Sequence, residues 1–285
     1  MDWISVGLLL LAAGCHALWN LRLKCCDDKN LVVWWGLIML VPLAIPALWS
    51  GGVPLSIWPL LSASVVCQAC YYYSLARAYQ GGDFSLVYPV SRGTAPVLIL
   101  LWSVLFLHER PHPVGLFGIF LIITGVTVAG GLWQLLRRGS NRAALKVESV
   151  TAAFQVALFI SGYSTLDGAA VKQCQPAAYT ACVFAFTALA VTPLLARRPW
   201  PELRAGWRNN RVDIVAIALL SLLAYGLVLM VYSRGTVSYA AAGREISIVF
   251  GALAGWRWLG EGLGATRVMG AMLIFSGIAT IAIWG

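Results

Sequence analysis

Three ionisable residues stand far inside apolar stretches: Arg92, Arg244 and Glu245. At a rise of about 1.5 Å per residue each lies roughly 10–14 Å from its nearer helix end. Charge at that depth is costly and marks a functional site by default. Two readings fit the trio. In one, Arg92 or Arg244 pairs an anionic group of a ligand and Glu245 pairs a cation or proton. In the other, Arg and Glu pair with each other and lock two spans together. A carboxyl in an apolar site can couple to protons, and a neighbouring guanidinium works against it.

Other side chains stand where they can line such a site. His16 and Asn20 are four residues apart on one helix face, with Trp19 beside them. His16 reads either as a substrate or proton contact or as a hydrogen bond between helices. Tyr88 precedes Arg92 by one turn, and Tyr163, Asp167 and Lys172 follow one another along a later run. Asp167 is expected to pair locally with Lys172 or to reach the mouth of the site. Inward Tyr rings, with Tyr225 and Tyr239 in the second half, suit an amphipathic ligand, and a cationic one through their faces. Plain packing is the other reading. The candidate binding set is therefore Arg92, Arg244, Glu245, His16, Trp19, Asn20, Tyr88 and Tyr163.

Long apolar runs must position these residues. Of 285 residues, 60% are hydrophobic and 11% charged, and mean hydropathy is +0.80. A soluble domain carries about 25% charged residues. Apolar stretches of about 20 residues recur, the length that crosses roughly 30 Å of hydrocarbon as a helix. They lack the alternation of membrane-barrel strands. The fold class is an all-α polytopic membrane protein with ten transmembrane helices, over 3–21, 31–49, 56–76, 84–107, 113–133, 149–169, 177–196, 213–232, 237–256 and 266–284.

The two halves repeat each other. Tyr73, Arg92, Glu109, Gly118 and Gly125 recur, without a gap, as Tyr225, Arg244, Glu261, Gly270 and Gly277. Five spans per half is an odd number, so the halves are inverted. Residues 1–136 and 148–285 are expected to form the two repeats. Inverted halves are the architecture of secondary transporters, which rock around a midplane site. Glu245 has no acidic mate, because Gly93 holds the equivalent place.

Pro89 and Pro96 flank Arg92 and predict a bent fourth span that opens there. Gly115, Gly118, Gly125, Gly270 and Gly277 read as scaffold or dimer packing, so monomer and homodimer both stay open. Glu109 and Glu261 are expected to cap or orient the helix that follows.

Fifteen of the 20 Lys and Arg fall in odd-numbered loops, which puts those loops in the cytoplasm and both termini outside. The net charge of +9 is thus membrane topology rather than a nucleic-acid surface. Seven Cys, mostly within or beside apolar runs, form no disulfide framework. No metal-ligand spacing, nucleophile elbow or phosphate loop is present. Neither an enzyme nor a cofactor is expected.

The segments Gly14–Asn20, Tyr88–Gly93, Leu107–Arg110 and Gly118–Gly125, with Tyr239–Val249, Leu259–Glu261 and Gly270–Gly277, resemble the EamA domain of the drug/metabolite transporter superfamily. The resemblance covers nearly the whole chain as two EamA repeats. It implies ten helices in an inverted-repeat basket, a central site lined by spans 1, 3, 4, 6, 8 and 9, and alternating access. It also implies movement of small metabolites and, commonly, cytoplasmic termini, the reverse of what the loop charges indicate. The expected function is a secondary transporter of a small amino-acid-like, amine or organic-anion metabolite in the inner membrane. Protons are the candidate coupling ion, and lipids surround the protein. A flippase for a lipid or lipid-linked head group is the alternative.

Overall fold

The computed structural model describes residues 1–80, 84–129, 147–195, 197–259 and 265–284, and among them all regular structure is helical. The first half holds α1 (Trp3–Lys24), α2 (Lys29–Leu40), α3 (Ala44–Trp49), α4 (Trp58–Gln80), α5 (Phe84–Phe106) and α6 (Pro113–Ala129). The second holds α7 (Val147–Ala170), α8 (Pro176–Val191), α9 (Trp200–Arg234), α10 (Val237–Gly243), α11 (Ser247–Leu259) and α12 (Ala265–Trp284). With α2–α3 as the second span and α10–α11 as the ninth, the described residues make ten spans. The basic loop at 134–146, the turn at Gly81–Asp83, Glu261 and the side chain of Tyr88 lie outside the described residues.

A helix satisfies its own backbone polar groups, which lipid cannot do. Caps set the ends. Asp2 accepts from Ser5 N and Asp28 from Leu31 N, each at 3.1 Å. Large apolar side chains such as Trp3, Trp49, Phe106, Phe120 and Met272 remain exposed. In a multi-pass membrane protein that is the surface lipid covers.

Helix contacts survive exchange of the halves. α4 packs on α7 as α9 packs on α1, and α5 packs on α7 as α11 packs on α1. The second and seventh spans meet each other, as do the fifth and tenth. The last pairing rests on glycine. A Cβ at Gly118 would lie 2.9 Å from Gly277 O, and one at Gly125 would lie 2.7 Å from Gly270 O. Backbone thus meets backbone along α6 and α12 within one chain, which makes these glycines internal scaffold.

Three spans change pitch. The second tightens into a 3-10 turn at Val41–Leu43 around Pro42, and its mate, the seventh, ends in another at Thr192–Leu194 around Pro193. The ninth tightens at Arg244–Ile246. α5, by contrast, stays helical through Pro89 and Pro96. The interruption expected beside Arg92 therefore falls at its repeat mate, where no proline is present. A 3-10 turn in mid-helix marks a hinge or a strained sequence.

The stretch 200–211, expected as loop, is helical and runs into the eighth span with a break at Asn210 (φ −118°, ψ 17°). Trp200, Leu203 and Trp207 share one face at helical spacing. Trp35 holds that face: its Nε1 donates to Leu203 O at 2.9 Å, and its ring lies 6.2 Å from Trp200 and 5.3 Å from Trp207.

Candidate functional site

α10 is enclosed by its neighbours, and every residue from Val237 to Glu245 is buried. Its small residues, Ala240 to Gly243, let neighbouring helices close around it. Glu109 sets where it begins. α5 ends in a left-handed turn at His108 (φ 53°), with Glu109 N donating to Ser103 O at 3.1 Å. The Glu109 carboxylate then accepts from Val237 N at 2.5 Å, Ser238 N at 3.2 Å and Ser238 Oγ at 2.7 Å. A carboxylate at a helix N-terminus is favoured by the unsatisfied N–H groups there. The helix that Glu109 caps is thus in the other half, not the one that follows it in sequence.

The 3-10 turn after α10 presents Arg244 and Glu245 to α5 and α1. Arg92 Nη1 donates to Glu245 Oε1 at 3.3 Å, and Arg244 Nε lies 4.0 Å from the same oxygen. The side chains are 13%, 9% and 1% exposed for Arg92, Arg244 and Glu245, so the charges face one another out of water. Two guanidinium groups share one carboxylate, which leaves a net positive interior. Among the described residues, Glu245 Oε2 and Arg244 Nε are buried without hydrogen-bond partners, and Tyr232 of α9 lies in electrostatic range of Arg244. At the repeat mate of Glu245, a Cβ on Gly93 would meet Thr127 Cγ2 at 3.2 Å, so a side chain there needs Thr127 to give by a few tenths of an ångström.

His16 of α1 meets Arg92 Nη2 through Nε2 at 2.9 Å, while Trp19 Nε1 points at its Nδ1 from 3.2 Å. Both neighbours only donate. A neutral ring has one lone pair, and the shorter contact gives it to Arg92. A second ring proton would set an N–H against a donor on each side. Tyr163 of α7 lies in electrostatic range of the two Arg, with its ring 6.0 Å from Tyr71 and 6.3 Å from Tyr225. Asn20 is exposed, and its amide donates to His16 O at 2.7 Å, back onto its own helix. The structure thus brings together Arg92, Arg244, Glu245, His16, Trp19 and Tyr163, and sets Asn20 to one side.

A second polar cluster lies between this centre and the end of α7. Asp167 is fully buried and accepts from Tyr179 Oη at 2.7 Å and from Tyr225 Oη. Gln68 Nε2 donates to Tyr225 Oη at 3.3 Å, and Thr187 Oγ1 donates to Gln68 Oε1 at 3.4 Å. The expected Asp167–Lys172 pair does not form. Lys172 instead lies 3.9 Å from Glu109, beyond the helix end, while Asp167 points inward from the last turn of α7. Sequence reasoning missed Tyr179, Tyr232, Ser164 and Gln68. Tyr239 lies elsewhere: its Oη accepts from His112 N at 2.8 Å at the start of α6.

A family model for EamA-like transporters matches residues 3–131 and 148–283. The chain belongs to the EamA-like transporter family. Among relatives of this EamA protein is the "uncharacterized transporter YwfM" of Bacillus subtilis (strain 168), 26% identical over 231 residues that cover 79% of this chain and 73% of that one. A crystal structure of a protein 18% identical superposes with a TM-score of 0.73, over 98% of this chain and 96% of that one. At that identity the likeness speaks to the fold. Family membership and the transporter relative make this EamA protein a membrane transporter.

Proposed function

We propose that the protein is a secondary transporter of a small polar or amphipathic metabolite, amino-acid-like, an amine or an organic anion. It works in the inner membrane by alternating access between the repeats at 1–136 and 148–285. The observation that carries this reading is the open bonding capacity of the central charges: among the described residues, Arg244 Nε and Glu245 Oε2 are buried without a hydrogen-bond partner. Leaving a buried polar group unsatisfied costs about 1–3 kcal/mol, and more for a charged one. A pair that served only to lock helices would gain by closing both ends. A ligand that carries an anionic and a cationic group closes both at once.

In this reading Arg92 and Arg244 hold the anionic group and Glu245 holds the amine. Trp19 and Tyr163 line the site, and His16 orients Arg92. The excess of one positive charge favours ligands with a carboxylate. The test is thermal stabilisation of the purified protein by a panel of amino acids, amines and organic anions, repeated with Arg92→Ala and Glu245→Gln. A ligand that binds only the native state raises stability by mass action. A stabilising compound whose effect is lost in both variants supports the site. One unaffected by either variant sinks it, and stabilisation by phospholipid alone moves the reading to a head-group flippase.

A further inference from the structure

Asp167 is a buried carboxyl held by hydroxyl groups. Its hydrogen-bond partners are the phenols of Tyr179 and Tyr225, with Ser64 of α4 alongside. Among the described residues no Lys, Arg or His lies within ion-pair distance of it. A carboxylate so placed has no counter-charge to lose when it becomes neutral. Glu245 differs, because two guanidinium groups face it. His16 differs too, with a donor on each ring nitrogen.

Other titratable groups face Asp167 from the elements around it. Cys67 comes from α4, Tyr163 from its own helix, Cys174 from beyond the helix end, and Tyr232 from α9, besides the two phenols that bond it. All are thiols or phenols. The charged groups are Arg244, in electrostatic range but outside ion-pair distance, and the Glu109–Lys172 pair at the start of α10. A water proton would enter past the end of α7, three residues beyond Asp167, where Lys172 is the first exposed residue.

We propose that Asp167 is a proton-binding site separate from the Arg92–Glu245 centre, and that loading it reverses the hydrogen-bond chain through Tyr225 and Gln68 to Thr187. The proposal rests on the transport reading, for which it supplies the coupling ion. The proton leaves water and forms an O–H bond at an Asp167 oxygen, and no other covalent bond changes. The acid then donates to Tyr225 Oη. The Tyr225 hydroxyl turns to Gln68, whose amide rotates to offer Oε1, and Gln68 Nε2 then donates to Thr187 Oγ1. Each group keeps a partner, since a hydroxyl and an amide both donate and accept. The chain crosses α7, α9, α4 and α8, which belong to both halves. Asp167 also adjoins Gly168, where a Cβ would lie 2.5 Å from Val237 Cγ2 at the start of α10. α10 leads directly to Arg244 and Glu245.

The experiment is infrared difference spectroscopy of the full chain in liposomes, titrated from alkaline to acid buffer. The probe is the proton itself, read as the C=O stretch of a buried carboxylic acid. The wild type is expected to gain that band, Glu245→Gln to keep it and Asp167→Asn to lose it. Tyr225→Phe, which leaves the carboxyl in place, is expected to move the band to higher frequency. The proposal is overturned if the wild type shows no band, if the band goes with Glu245 instead, or if Tyr225→Phe leaves it unmoved. Should Asp167→Asn not fold, the Glu245→Gln and Tyr225→Phe spectra decide. Failure here leaves ligand stabilisation at Arg92 and Glu245 intact. Failure of that binding reading leaves the band intact.

Discussion

Arg92 and Glu245, 153 positions apart in sequence, join the middle of α5 to the turn between α10 and α11 across 3.3 Å. One charge of this pair is duplicated in the chain and the other is not. Arg92 and Arg244 are repeat mates, whereas Glu245 stands opposite a glycine. The centre is therefore asymmetric within a near-symmetric frame, and the excess positive charge is its direct result.

Arg92→Ala is expected to destabilise the protein by roughly 2–3 kcal/mol. That is less than the loss of about 3–5 kcal/mol when a buried charge is left with no partner. Arg244 stays 4.0 Å from the same oxygen and compensates in part. Denaturation in detergent, run with Arg244→Ala and the double variant, checks this. The double variant should lose more than the sum of the singles, because only it strips Glu245 of both cations.

Gly118→Ala and Gly125→Ala are each expected to cost about 1–3 kcal/mol, the usual range for overpacking. Their added carbon would enter the backbone of α12. Gly7→Ala is the control: it sits in α1 with nothing within 4 Å of the added carbon. It should leave stability level or raise it slightly, since Ala favours helix. Melting curves of the three variants compare them directly.

Glu109→Gln is expected to loosen the start of α10. The amide retains one acceptor oxygen for three donors that now share two. A loss of about 1–2 kcal/mol follows, with faster hydrogen exchange at the Val237 and Ser238 amides. Unchanged exchange at those two amides would mean that the cap does not hold the helix.

Cys25 and Cys174 report topology. Cys25 is exposed between α1 and α2, and Cys174 is half-buried between α7 and α8. If odd-numbered loops are cytoplasmic, a membrane-impermeant maleimide applied to intact cells should spare a variant keeping only Cys25. It should label one keeping only Cys174. The opposite pattern reverses the orientation drawn from loop charges.

Much of the frame is legible in the residues themselves. Apolar length reveals the spans, the recurrence of Tyr73, Arg92 and Gly118 reveals the duplication, and the odd number of spans inverts it. The depth of Arg92, Arg244 and Glu245 points to the centre because apolar sequence tolerates charge for few reasons. The Asp167 cluster is not legible. Tyr179, Tyr225 and Gln68 come from three different helices, so no spacing along the chain records their meeting. Lys172, five residues from Asp167, is the misleading local partner. The 3-10 turn at Arg244 is hidden for a related reason. Proline is the visible sign of an irregular helix, yet the prolines lie in α5, which stays regular, and the turn occurs without one. The helix at 200–209 is hidden by its many charged residues, while its docking depends on Trp35, far away in the chain.

The glycine seam between α6 and α12 bears on how the gene can change. Gly118 meets Gly277, the copy of Gly125, and Gly125 meets Gly270, the copy of Gly118. Each residue of one copy is thus the neighbour of its partner's twin. A codon change on either side intrudes on the other, and these four positions cannot drift independently after duplication. Position 93 and its copy at 245 carry no such mutual contact, and there the halves have parted, glycine on one side and glutamate on the other.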